Sequence, residues 1–204
     1  MSWLGWPNRV TITRILLIAP LIICVLNINN PASPYARRLA LGLLLLIAVG
    51  DGLDGFLARR LRQATLAGKF LDPLGDKILM TCMTVLLAFE ATGVPGAVLP
   101  NWVPVIAIGK DVVTVGGFTL IYLTAGRFVI QPRPLGKACT VVQFGMIALV
   151  LAAPDLPRGL QRLPGISWWT ASGLAVAATL DYLRWGSRAA RPTEDGSDRE
   201  DQPT

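Results

Sequence analysis

Residues 36–60 read ARRLALGLLLLIAVGDGLDGFLARR. Two arginines open the stretch, an apolar run follows, and Asp51 and Asp54 enter that run before it closes on Arg59 and Arg60. A helix needs roughly 20 mostly apolar residues to cross about 30 Å of hydrocarbon, and this stretch is that long between its charged ends. Each carboxylate in such a segment costs roughly 2.5–3.5 kcal/mol near the bilayer centre and less toward the interface. A span-length apolar run therefore speaks for the fold, and the acids inside it speak for function.

Five similar runs surround it, so the pattern predicts six helices: Val10 to Asn27, Ala36 to Ala58, Leu71 to Ala91, Val103 to Thr124, Gly136 to Ala153 and Ile166 to Trp185. Pro, Gly and Asn clusters separate them. The chain is 52% hydrophobic and only 16% charged, where a soluble domain carries about a quarter charged residues. Spanning segments must be helices or closed barrels, and these runs lack the alternating pattern of a barrel. The expectation is an all-α polytopic membrane protein with six transmembrane helices in one domain over residues 1–191, followed by a disordered acidic tail over 192–204. The first run, with Arg9 and Arg14 ahead of it, is taken as a span and not a signal peptide, because five more follow.

Lysine and arginine set the orientation. With the N-terminus in the cytoplasm, the outer side holds Arg37, Arg38, Arg158 and Arg162. The inner side holds the larger set, including Arg9, Arg59, Arg60, Lys69, Arg127, Arg133, Lys137 and Arg184. Both termini and the acidic hairpin are thus expected on the cytoplasmic side of the cell membrane of a bacterial-type cell. The net charge of +6 follows from that topology and from attraction to anionic lipid heads. The bases are dispersed, which speaks against nucleic acid. Cys24, Cys82 and Cys139 lie at unrelated spacings in apolar runs and are read as free buried thiols. The chain has no histidine, which removes Ser-His-Asp, Cys-His and imidazole-metal chemistry together.

What remains is carboxylate chemistry. Asp51 and Asp54 close the second run and Asp72 and Asp76 open the third. Spacings of three and four put each pair on one helix face. The connection from Arg59 to Gly68 is short, so the two helices are expected to be antiparallel neighbours with four converging carboxylates. Such a set repels itself unless cations or protons intervene, and hard oxygen ligands suit Mg²⁺ or Mn²⁺. Two ions would neutralise it and leave coordination positions for a diphosphate. Gly55, Ala58 and Gly68 leave room for a bulky ligand, although small residues also serve close helix packing in lipid.

The fixed positions then read Asp51-Gly52-Leu53-Asp54-Gly55-Phe56-Leu57-Ala58-Arg59, eight residues to Gly68, three to Asp72 and three to Asp76. This stretch resembles the signature of the CDP-alcohol phosphotransferase family, with every fixed position present, and that family also has a six-helix core. The resemblance implies transfer of a phosphatidyl group from CDP-diacylglycerol to an alcohol with release of CMP, usually in a homodimer. It implies two metal ions on Asp51, Asp54, Asp72 and Asp76, with Asp76 also the general base. It implies a CDP-lipid site of Asp54, Gly55, Ala58, Arg59 and Gly68.

For the acceptor, Pro7-Asn8-Arg9-Val10-Thr11-Ile12-Thr13-Arg14 is similar to a pattern in bacterial phosphatidylglycerophosphate synthases and eukaryotic-type cardiolipin synthases. Lys110-Asp111 stands where those enzymes usually carry Arg followed by Glu or Asp, a departure that loses bidentate phosphate recognition. Gly136-Lys137, with Thr140 and Gln143, is similar to the start of their fifth span. Lys110, Arg133 and Lys137 are accordingly candidate ligands of an acceptor phosphate; the alternative for Lys110 is an interhelical ion pair. Glycerol 3-phosphate is favoured as acceptor over phosphatidylglycerol or inositol phosphate. Two rival classes are weaker. A membrane prenyltransferase would need more spans, and a metal transporter would carry acids across the membrane, not at one depth.

Overall fold

Each of the six apolar runs is one α-helix in a computed structural model that describes the backbone of residues 6–61, 66–125 and 134–189 and the side chains of 16–50, 75–117 and 135–184. The helices are α1 (Trp6–Leu26), α2 (Ala36–Leu61), α3 (Leu66–Leu86), α4 (Trp102–Ala125), α5 (Pro134–Ala152) and α6 (Leu163–Ala189). Two short 3₁₀ turns, Ala153–Asp155 and Arg158–Leu160, join α5 to α6, and there is no strand among the described residues. The tail over 192–204 lies outside the described residues.

The largest departure from the hydropathy pattern is in α3, which starts before Leu71 and stops before Ala91. Its start is hidden in the sequence by the polar and helix-unfavourable residues Gly68, Lys69 and Pro73. Its end is set by hydrogen bonding. The carbonyl of Leu86 accepts from the Thr92 hydroxyl, and that of Leu87 from the Leu99 backbone N–H at 3.0 Å. The Asn29 side-chain amide lies within 3.1–3.3 Å of the carbonyls of Glu90, Ala91 and Gly93. These partners satisfy carbonyls that further helix would otherwise have used. The chain then reverses through Val94-Pro95-Gly96-Ala97, where Gly96 has φ +79° and the Ala97 N–H donates to Val94. Proline at the second position and glycine at the third are what a type II turn requires.

Packing follows the helical period. α2 buries Ala36, Ala40, Leu44 and Ile47, α3 buries Leu79, Met83 and Leu87, and α1 contributes Ile18, Leu21 and Val25. With Met146, Ile147, Val150 and Leu151 of α5 these side chains make one core. Among the described residues α1 lies against both α2 and α3, α5 against α6 and α2, and α4 against α6 and, over a shorter stretch, α3. The expected direct pairing of α2 with α3 is not an extended contact there; α1 bridges them instead. α4 and α6 approach closely, with Trp102 and Trp169 ring centroids 4.8 Å apart. At the other end of the same pair, a Cβ on Gly117 would stand 2.7 Å from Cε1 of Tyr182. Tyr182 thus packs against the α4 backbone at Gly117.

The outside of the bundle is also apolar: Ile23, Leu46, Ile78, Val112, Val141 and Val176, one from each helix, are exposed. One stretch among the described residues, Leu135–Asp155, is by itself long and apolar enough to cross a membrane. The cysteines are free, as expected.

Candidate active site

The buried stripe of α2 runs through residues 36, 40, 44 and 47, and continuing it by the same steps of three and four reaches 51, 54 and 58. The stripe of α3 runs through 87, 83 and 79, and continuing it the other way reaches 76, 72 and 68. By sequence spacing, Asp51, Asp54 and Ala58 of α2, and Asp76, Asp72 and Gly68 of α3, share the register of those stripes. Contrary to the pattern-based boundaries, the acids do not stand at helix ends. α2 continues to Leu61 and α3 begins at Leu66, so both acid pairs are carried on helical backbone with residues 62–65 between.

Of this set, Asp76 has a described side chain; it is half-buried and engaged with a partner. The side chains of Asp51, Asp54, Gly55, Ala58, Arg59, Gly68 and Asp72 lie outside the described residues, as does Arg133. Among the described residues no cluster of three or more carboxylate or thiol groups forms a metal site.

Next to Asp76 the structure resolves a charged group that sequence reasoning caught in part. Lys110 of α4 is nearly buried, its side chain 12% exposed, and its Nζ lies 3.1 Å from Oδ1 of Asp111. The same oxygen lies 3.8 Å from Nζ of Lys77, which follows Asp76 on α3. Lys110 is paired, as the alternative for it anticipated, but within its own helix; the interhelical pair is made by Lys77. The sequence left Lys77 unremarked, although its place directly after the fourth aspartate was the signal. Lys137, in the first turns of α5, is exposed, whereas Cys139 is buried and within electrostatic range of Lys110 and Asp111. Thr140 donates to the carbonyl of Gly136 at 3.3 Å. Gln143 is buried and donates to the Thr84 hydroxyl at 3.5 Å, tying α5 to α3.

At the other end, Arg37 donates to the Leu151 carbonyl at 2.6 Å and to Asp155 at 2.8 Å, with Arg38 at 3.4 Å from the second oxygen of the same carboxylate. This clasp joins α2 to the end of α5 and has no link to the acids.

The family model for CDP-alcohol phosphatidyltransferase matches residues 4–181. The chain belongs to that family, and it is a transferase. Among its relatives, a CDP-diacylglycerol--glycerol-3-phosphate 3-phosphatidyltransferase of Rickettsia bellii is 43% identical over 180 residues, covering 87% of this chain and 93% of that protein. The Bacillus subtilis protein of the same name is 28% identical over 188 residues, covering 87% and 92%. A probable cardiolipin synthase (CMP-forming) of Drosophila melanogaster is 34% identical over 199 residues, covering 87% of this chain and 56% of that protein.

Proposed function

We propose that this chain transfers the phosphatidyl group of CDP-diacylglycerol to glycerol 3-phosphate, releasing CMP and forming phosphatidylglycerophosphate. The observation that carries the choice of acceptor is the 43% identity to the Rickettsia bellii glycerol-3-phosphate enzyme over nearly the full length of both chains. Cardiolipin synthesis is the second reading, favoured by the 34% identity to the Drosophila protein over the same share of this chain.

The bundle sits in the membrane with all six helices crossing it, both termini and the acids on the cytoplasmic side. Supporting this, 21 residues of α1 or α3 rise about 31 Å at 1.5 Å each, close to the hydrocarbon thickness. Exposed apolar side chains on every helix, such as Val141 and Val112, have lipid as their natural solvent.

The donor set fits two divalent cations. Asp51, Asp54, Asp72 and Asp76 are hard oxygen donors at spacings of three and four on two helices, and carboxylates continuing an apolar helix are costly without counter-charge. Bound Mg²⁺ or Mn²⁺ would neutralise charge on the diphosphate and on departing CMP. Asp76 takes the proton of the acceptor hydroxyl. The freed oxygen attacks the β-phosphorus, and the bond to CMP breaks without a covalent enzyme intermediate. Arg59, Gly55, Ala58 and Gly68, with Asp54, form the surroundings of the CDP group. Lys110, Arg133 and Lys137 supply positive charge for the acceptor phosphate. A second copy of the chain completes a homodimer.

The test is purified protein with CDP-diacylglycerol, Mg²⁺ or Mn²⁺, and each acceptor offered separately. CMP is expected with glycerol 3-phosphate. CMP with phosphatidylglycerol alone would replace the first reading by the second.

A further inference from the structure

We infer that Asp111 is a positioning residue for the acceptor: by holding Lys77 and Lys110 on a single carboxylate oxygen it shapes an anion site beside Asp76. This rests on the phosphatidyl-transfer reading and deepens it.

Neighbouring residues on a helix point about 100° apart and do not face one another. Lys110 nevertheless reaches Oδ1 of Asp111 at 3.1 Å, so its long stem bends around the helix to do so. The interhelical tie, Lys77 to the same oxygen, is the longer contact at 3.8 Å. A pair selected only to join α3 to α4 would need Lys77 and Asp111 alone. Here one carboxylate gathers two ammonium groups and leaves the trio with one net positive charge.

Burial strengthens the effect. The Lys110 side chain is 12% exposed and that of Asp111 21%, while Lys77 is 38% exposed. Two unneutralised lysines at such a place would repel each other in a medium that screens weakly. With Asp111 between them they can stay together, and each ammonium keeps donors beyond the one turned to Asp111. The chemical class that fits is a phosphomonoester, whose oxygens take several such donors at once. Lys77 and Asp76 are consecutive on α3, so a phosphate held here lies at the level of the helix that carries the proposed base.

A counter-charge and a positioning residue predict opposite results, which makes the idea testable. Steady-state CMP release by the full chain is measured with glycerol 3-phosphate varied at saturating CDP-diacylglycerol, and then the reverse. Asp111→Asn adds one positive charge to the site. The expected result is a KM for glycerol 3-phosphate raised about tenfold or more, the scale of a lost charged hydrogen bond, with kcat and the KM for CDP-diacylglycerol little changed. Asp111→Glu should recover most of the loss. A KM for glycerol 3-phosphate that falls or stays the same overturns the inference, as does an equal rise in both KM values together with a lower melting temperature. Lys77→Gln is the second variant, should Asp111→Asn fold poorly. It keeps the Lys110–Asp111 contact and should raise the same KM; an unchanged KM overturns the inference. Wild-type protein inert with glycerol 3-phosphate but active with phosphatidylglycerol would sink the parent reading, and the same variants assayed with that acceptor then decide the role of Asp111.

Discussion

The two ends of α2 and α3 use one helical line for opposite purposes. Toward one end the lines are filled by Ala40, Leu44 and Ile47 of α2 and Leu79, Met83 and Leu87 of α3, all buried in one core. Toward the other end the same register carries Asp51, Asp54, Asp72 and Asp76. The apolar half is held by close packing of its buried side chains. It gains nothing from chemistry. The acidic half is unfavourable by itself, and it is kept in place by the apolar half it extends. In the proposed reading, stability and catalysis are separated along the axis of the same two helices.

The largest expected effect lies at the acidic end. Asp76→Asn removes the proposed proton acceptor and one proposed cation ligand, and should lower the rate of CMP release by about 10²–10⁴-fold while the melting temperature in detergent stays near that of the parent. Near-normal turnover would dismiss Asp76 as base and collapse the contrast between the halves. Next comes Met83→Ala at the apolar end. Met83 is fully buried, so truncation should cost about 2–5 kcal/mol of stability, read as a lower unfolding midpoint, with kcat preserved below it. A large fall in kcat without destabilisation would show that the halves are not separate.

The smallest effect is expected from Arg37→Gln in the clasp at the far end. The guanidinium bonds the Leu151 carbonyl and Asp155, but Asp155 is exposed and such pairs are weak. A slight drop in melting temperature with unchanged kinetics is predicted; altered KM for either substrate would mean that this end communicates with the acids.

The sequence could determine a good deal here because its strongest signals are local. Six apolar runs define six helices, since backbone hydrogen bonding within each run needs no distant partner. Asp51, Asp54, Asp72 and Asp76 stand out for the same reason: charge inside a span-length helix is costly wherever it occurs, and spacings of three and four set the register. Folding beyond the run decided where α3 ends, because Thr92 and Leu99 claim the carbonyls of Leu86 and Leu87 and Asn29 holds those of Glu90, Ala91 and Gly93. It alone placed α1 between α2 and α3, a choice of packing partners that hydropathy does not encode. It also buried Gln143 against Thr84 and set Lys77 and Lys110 on one oxygen of Asp111. Gln143 and Thr84, like Lys77 and Asp111, are far apart in sequence, and only the folded bundle brings them within reach.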